Sequence, residues 1–189
     1  MINTLYLLVT ILLTISGASY SSEPIVNKGD TTLFLGTIGP LFVVQHGLNI
    51  QLSHQFNETW SLDAEGGEYN TNSTSPIINT AYASLGLSLF IQDLATIRDY
   101  VNFGAPVFIK TSYSYHDDKT MITHNGKILG RNISTGIELS PGLRVTHEWY
   151  SLELIPISLY LPIDKKNSGE EVSRNLLDRI LNLKIGLTF

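Results

Sequence analysis

Apolar and polar side chains alternate with a period of two through most of this chain. The longest clean run lies between Ile78 and Ile91: Ala81, Ala83, Leu85, Leu87, Leu89 and Ile91 interleave with Thr80, Tyr82, Ser84, Gly86, Ser88 and Phe90. The last residues repeat the pattern, with Leu183, Ile185, Leu187 and Phe189 set against Lys184, Gly186 and Thr188. Successive side chains of a strand point to opposite faces, so each run predicts one oily and one polar face. Carried backwards, the final run puts Leu181 and Arg179 on the oily face and Asn182 on the polar one.

The same reading along the chain predicts eight strands. The first lies between Leu33 and Val44, its phase blurred by Gly36, Gly39 and Pro40. The second covers Gly47 to Phe56, with Leu48, Ile50 and Leu52 opposite Asn49, Gln51, Ser53 and Gln55. A tight turn at Asn57-Glu58-Thr59 leads into the third, from Trp60, where Leu62 and Ala64 oppose Ser61, Asp63 and Glu65. Ile78 to Ile91 is the fourth. The fifth is Phe103 to Tyr115, the sixth Arg131 to Ser140 and the seventh Glu148 to Leu161, with a bulge expected at Pro156. Pro141-Gly142 reads as the turn after the sixth strand, and the eighth strand ends at Phe189.

Most connections sort by length. Those after the second and sixth strands are short, whereas Asn70 to Pro76, His116 to Gly130 and Pro162 to Asn175 are long and polar. The connection after the first strand is short and that after the fourth long, which departs from a strict alternation. Each strand is near the 9 to 11 residues that a tilted strand needs to cross a bilayer, about the range expected of a membrane barrel.

The beginning of the chain adds a second signal. Met1 to Tyr20 has no Asp, Glu, Lys or Arg, and its apolar stretch from Leu5 to Ile15 is too short for a spanning helix. Ser16-Gly17-Ala18 follows, so residues 1–21 read as a secretory signal, cleaved between 18 and 22, and residues 22–189 as one domain. No basic residue precedes the apolar stretch, which departs from the usual signal. The chain has no Cys, so an exported domain of this kind must hold together without disulfides. Its net charge of −5, without a basic run, argues against a nucleic-acid partner. A mean hydropathy of +0.10 excludes a helical membrane bundle but not a barrel, in which only alternate residues meet lipid. Three glycosylation sequons, at Asn57, Asn72 and Asn132, carry little weight because about two such matches arise by chance in a chain this rich in Ser and Thr.

The signal, the strand count, the loop asymmetry and the aromatic end of the last strand resemble the small eight-stranded outer-membrane proteins of OmpA and OmpX style. The resemblance is one of architecture, without a family-specific motif. It implies an all-β, eight-stranded antiparallel up-and-down transmembrane β-barrel in the bacterial outer membrane of a Gram-negative cell. It also implies that Leu183, Ile185, Leu187 and Phe189 form the signal read by the barrel-assembly machinery, with periplasmic chaperones and outer-membrane lipid as further partners.

In such a barrel Asp63, Glu65, Lys110, Glu138 and Lys184 would form a polar lumen network. Phe56 and Trp60 at one end, and Tyr113 and Tyr115 at the other, would form the aromatic girdles. A soluble lipocalin-like barrel would carry the same strands with the faces reversed, and the alternation alone leaves both open.

No catalytic, metal or cofactor motif is legible. The five His residues form no HExxH pattern, and His116-Asp117-Asp118 reads as part of a solvated loop. The enzyme to weigh is a lipid A deacylase, whose motif resembles His-x-Ser-Asn. Here the nearest match, Ser53-His54-Gln55-Phe56-Asn57, has Ser before His and lies on an early strand. The leading expectation is a structural or surface-interaction barrel, with Asp164-Lys165-Lys166 to Glu170-Glu171 as the expected contact site and no identifiable external ligand. A narrow, porin-like solute or ion channel is the first alternative and the hydrolase the second.

Overall fold

The computed structural model describes residues 29–39, 45–57, 59–71, 77–91, 107–121, 128–146, 149–169 and 177–189. The first 28 residues, including the expected signal, lie outside them, as do His147, Glu148, Glu170 and Glu171.

Eight strands follow one another in chain order: β1 (Thr31–Ile38), β2 (Gln45–Gln55), β3 (Trp60–Thr71), β4 (Ile77–Ile91), β5 (Val107–Met121), β6 (Ile128–Thr146), β7 (Tyr150–Gly169) and β8 (Leu177–Thr188). Each pairs antiparallel with its neighbours, and β1 pairs with β8 to close the ring. The seam runs from Thr32↔Thr188 to Ile38↔Asn182. Beyond it, the Phe189 amide donates to the Thr31 carbonyl at 2.9 Å and the Thr31 amide to the Phe189 carbonyl at 3.1 Å. Closure leaves the sheet no edge whose amides and carbonyls lack strand partners.

The alternation resolves into an inside and an outside. Even-numbered residues of β5 and β6 point inwards without a break, from Phe108 to Thr120 and from Asn132 to Arg144. Outward positions are apolar and exposed: Leu85 is 57% exposed and Ile185 61%, whereas Lys110 is 1% and Lys184 0%. The oily face is therefore the outer one.

Several sequence expectations change: β1 begins at Thr31, before the expected Leu33, while Asn70 and Thr71 extend β3 and Ile128 to Gly130 begin β6. Residues His116 to Met121 belong to β5 rather than to a loop, and Pro162 to Gly169 belong to β7. Both segments are largely polar on both faces. The alternation thus loses contrast although the ladder continues. Pro141-Gly142 does not turn the chain. β6 continues through it to Thr146, and pairing with β7 skips from Leu139↔Leu159 to Leu143↔Leu154. That skip holds both Pro141 and the expected Pro156 bulge, so the two residues without an amide donor share one interruption of the ladder.

The bore is narrow enough that inner aromatics lie flat over glycines of the next strand. Phe108 pairs with Gly142 and Phe34 with Gly186. A Cβ on Gly142 would stand 2.5 Å from Phe108 Cζ. Gly142→Ala must therefore push Phe108 off Phe90 and Ile155, its partners in a buried cluster. The expected cost is about 1–3 kcal/mol, measurable by equilibrium unfolding of the refolded protein in micelles.

Candidate functional site: the charged lumen

The five residues expected to line the lumen all face it and are buried. They are brought together around Glu65 on β3. Its Oε2 accepts from Lys110 Nζ of β5 at 2.5 Å and from Lys184 Nζ of β8 at 2.9 Å. Its Oε1 accepts from Arg179 Nη1 at 2.7 Å, from Tyr82 OH at 2.7 Å and from Asn49 Nδ2 at 2.9 Å. One carboxylate thus joins five strands across the bore. Glu138 of β6 accepts from Arg179 and, through Oε2, from Ser114 Oγ at 3.1 Å. Asp63 accepts from Ser88 Oγ at 2.5 Å and from Gln51 Nε2 at 3.1 Å.

Sequence reasoning missed half of this network. Glu153 of β7 holds Lys184 at 2.9 Å and Arg144 at 2.5 Å. Arg144 also lies 4.9 Å from the ring centroids of Phe34 and Phe90 and 5.3 Å from that of Phe108. Rings around a guanidinium supply the electron-rich faces that a desolvated cation needs. Arg144 was legible in principle, since counting inward positions from Glu138 through Ser140 and Gly142 reaches it. The turn read at Pro141-Gly142 cut that count short.

Arg179 is a correction. The alternation assigned it to the oily face, yet it is 1% exposed and inside the barrel. Leu181, between Arg179 and Asn182, has a φ of 52°, a left-handed backbone rare for a side chain of its size, and the facing strand changes phase with it, Ile155 and Ser158 of β7 both being buried. The Leu181 carbonyl accepts from the Gly39 amide at 2.8 Å. This local slip lets Arg179 and Asn182, three residues apart, both face inwards.

Towards one end the lumen turns aromatic. His116 stands between Tyr82 and Tyr160, with ring centroids 5.8 and 4.3 Å away. Tyr69 OH donates to Asp178 Oδ1 at 2.6 Å and Thr80 Oγ1 to Asp118 Oδ1 at 2.7 Å. His116, Glu138 and Asp178 could together offer a metal ion three ligand atoms within 4.8 Å of one another. Arg179 already stands among them, bound to Glu138 and 3.4 Å from Asp178 through Nε. Its guanidinium neutralises the carboxylates that a metal would need.

The hydrolase reading meets a geometric obstacle at its nearest match. Ser53 faces inwards and accepts from Arg144 Nη1 at 3.1 Å. His54, the next residue, faces outwards beside Thr31 Oγ1 at 3.0 Å and edge-on to Phe56 at 5.5 Å. Neighbouring residues of a strand point to opposite sides of the wall, so this pair cannot act as nucleophile and base.

Outside, Phe56 is 43% exposed, Trp60 40%, Tyr113 57% and Tyr115 41%. Trp149, which sequence reasoning did not single out, joins the Phe56 end at 61%. Leu183, Ile185, Leu187 and Phe189 continue the outer face along β8.

Solved structures share this architecture. Ail, the attachment invasion locus protein of Yersinia pestis, matches with a TM-score of 0.50 and 12% identity, over 86% of this chain and 100% of that one. The N-terminal barrel domain of Pseudomonas aeruginosa OprF matches with a TM-score of 0.51 and 13% identity, over 86% and 98%. A major outer membrane protein of Thermus thermophilus gives 0.55 and 10%, over 86% and 100%. This is the fold of the small outer-membrane β-barrels. No family model matches the chain, and no curated protein matches it in sequence. At these identities the likeness is one of fold, and the barrel's oily exterior and charged interior are those of a protein surrounded by membrane lipid.

Proposed function

We propose that this chain is a bacterial outer-membrane protein whose barrel is a rigid anchor and whose outer strands make contacts at the cell surface. On this reading residues 1–21 direct export and are cleaved between 18 and 22. The β8 positions Leu183, Ile185, Leu187 and Phe189 are read by the barrel-assembly machinery after periplasmic chaperones deliver the chain.

The observation that carries the surface role is the continuation of β5, β6 and β7 past the Tyr113 and Tyr115 belt. β7 pairs with β8 only as far as Leu159↔Leu177, but with β6 as far as Gly130↔Gly169. Residues 161–168 are exposed throughout. A ladder that protrudes from the membrane offers a stiff platform, which costs a partner less ordering entropy than a loose loop. The contact site expected in the loop after the seventh strand thus begins on ordered strand, at Asp164, Lys165 and Lys166.

The absence of natural Cys makes the test clean. In intact cells, Lys165→Cys should react with a membrane-impermeant maleimide, whereas Asn57→Cys, at the β2–β3 hairpin, should react only after permeabilisation. The reverse labelling would overturn the orientation, and labelling of neither site in an outer-membrane fraction would overturn the location. Unboiled protein should also migrate differently from boiled protein on gels.

The lumen supports an anchor over a channel. Gln51, Asp63, Lys110, Glu138, Glu153, Arg179 and Lys184 fill the bore and are at most 1% exposed. Folded protein in planar bilayers should therefore pass no steady ion current, and a reproducible conductance would restore the channel reading.

A further inference from the structure

Above the tyrosine belt, the outer wall of β5–β7 carries cations in a regular array. Lys119 of β5 stands directly opposite Arg131 of β6, and Arg131 opposite Ser168 of β7. One step lower the row is Asp117, Ile133 and Lys166, then Tyr115, Thr135 and Asp164, then Tyr113, Ile137 and Leu161. The wall passes from oily to aromatic to charged within a few residues of strand.

Like charges directly opposite each other across a strand pair are destabilising. Lys119 and Arg131 hold that relation, and Lys166 lies diagonal to Arg131. Asp117 answers only part of the charge. It is chelated by Arg131, whose Nε and Nη2 donate to its two oxygens at 2.7 and 2.8 Å. Asp164 is the other carboxylate of these rows, one step below Lys166. Lys119 and Lys166 flank the Arg131–Asp117 pair on either side, in a chain whose net charge is −5.

From this geometry we infer that Lys119, Arg131 and Lys166 form a binding site for the phosphate of a phosphorylated glycolipid in the leaflet surrounding this end of the barrel. The height decides the source. The tyrosines mark the edge of the hydrocarbon, and the phosphates of a leaflet lie in the layer just beyond it. A lipid held there sets its acyl chains against Leu85, Tyr113, Ile137 and Leu161, which are 57%, 57%, 43% and 58% exposed. Arg131 fixes the register through Asp117, while the two flexible lysines close on the phosphate from either side. The inference rests on the proposed membrane location and orientation, which set the leaflet that meets this end of the barrel.

The test is binding of bis-phosphorylated lipid A to the refolded full barrel in neutral detergent, followed by native mass spectrometry, with dephosphorylated lipid A and inorganic phosphate as separate arms. Each lysine near an anionic lipid surface contributes about a five-fold effect, so Lys119→Gln with Lys166→Gln should weaken the phosphorylated lipid by about 25-fold. Dephosphorylated lipid should bind wild type and variant alike, and inorganic phosphate should not compete at matched concentration. Equal binding of the phosphorylated lipid to both proteins would overturn the site. Effective competition by inorganic phosphate would overturn the lipid source. Retained heat-modifiable migration shows that a variant is folded, and the two single variants carry the test if the double variant is not. Maleimide labelling of Lys165→Cys answers the orientation separately, so the two readings can fail independently.

Discussion

Glu65→Leu should lower the unfolding free energy of the barrel by about 3–5 kcal/mol, the largest single-site effect expected in this chain. The carboxylate accepts hydrogen bonds from Lys110, Lys184, Arg179, Tyr82 and Asn49 at once. Leucine would leave three cations facing one another in a bore without bulk water. Lys184 would retain Glu153 and Arg179 would retain Glu138. Lys110 would lose the only ion-pair partner within salt-bridge distance among the described residues. Glu65→Gln separates charge from hydrogen bonding, because it keeps the shape and an acceptor, and its cost should be clearly smaller. Combining Glu65→Leu with Lys110→Met should recover part of the loss, since a buried charge is removed along with its partner. Guanidinium unfolding in lipid vesicles, followed by tryptophan emission, measures all three. A loss below 1 kcal/mol for Glu65→Leu would mean that water reaches the network.

Leu87→Arg should cost about 2–4 kcal/mol in vesicles, the penalty for a cation on the lipid face near the middle of a membrane. Leu87 points outwards, 45% exposed, between Leu62 of β3 and Thr111 of β5. The same change on the surface of a water-soluble barrel would fall within about 0.5 kcal/mol of neutral. The experiment therefore reads the solvent around the barrel directly. Arg substitutions at Thr135, one step above Tyr113's row, should cost much less than Leu87→Arg, because the penalty falls towards the interface. A flat profile along the wall would argue against lipid on this face.

Both predictions depend on features with different visibility in the sequence. Period-two alternation placed β4 almost to the residue and the start of β3 at Trp60, because β4 keeps the contrast between its two faces along nearly its whole length. The same alternation put Asp63, Glu65, Lys110, Glu138 and Lys184 on one side of the wall. It failed at His116 and Asp118, where the strand continues with polar side chains on both faces. At Pro141-Gly142 turn chemistry outweighed the pattern. There the missing amide of Pro141 is absorbed by a break in the β6–β7 ladder that also accommodates Pro156, and no local signal on β6 announces that break.

By itself, the sequence determined that the chain forms strands, about how many, and which side chains share a face, since these follow from local geometry and turn residues. It could not say which face was inside. Alternation is symmetric under exchange of the two faces, and only closure of β1 onto β8 breaks that symmetry, by leaving the charged side no water and the oily side no protein. Pairing was decided at the same level. Glu65 meets Lys110, Arg179 and Lys184 because curvature brings distant strands across a narrow bore, and Arg179 arrives there through a slip in β8 centred on the left-handed Leu181. Contacts across a closed ring depend on its radius and stagger, which are properties of the whole sheet and of no single strand.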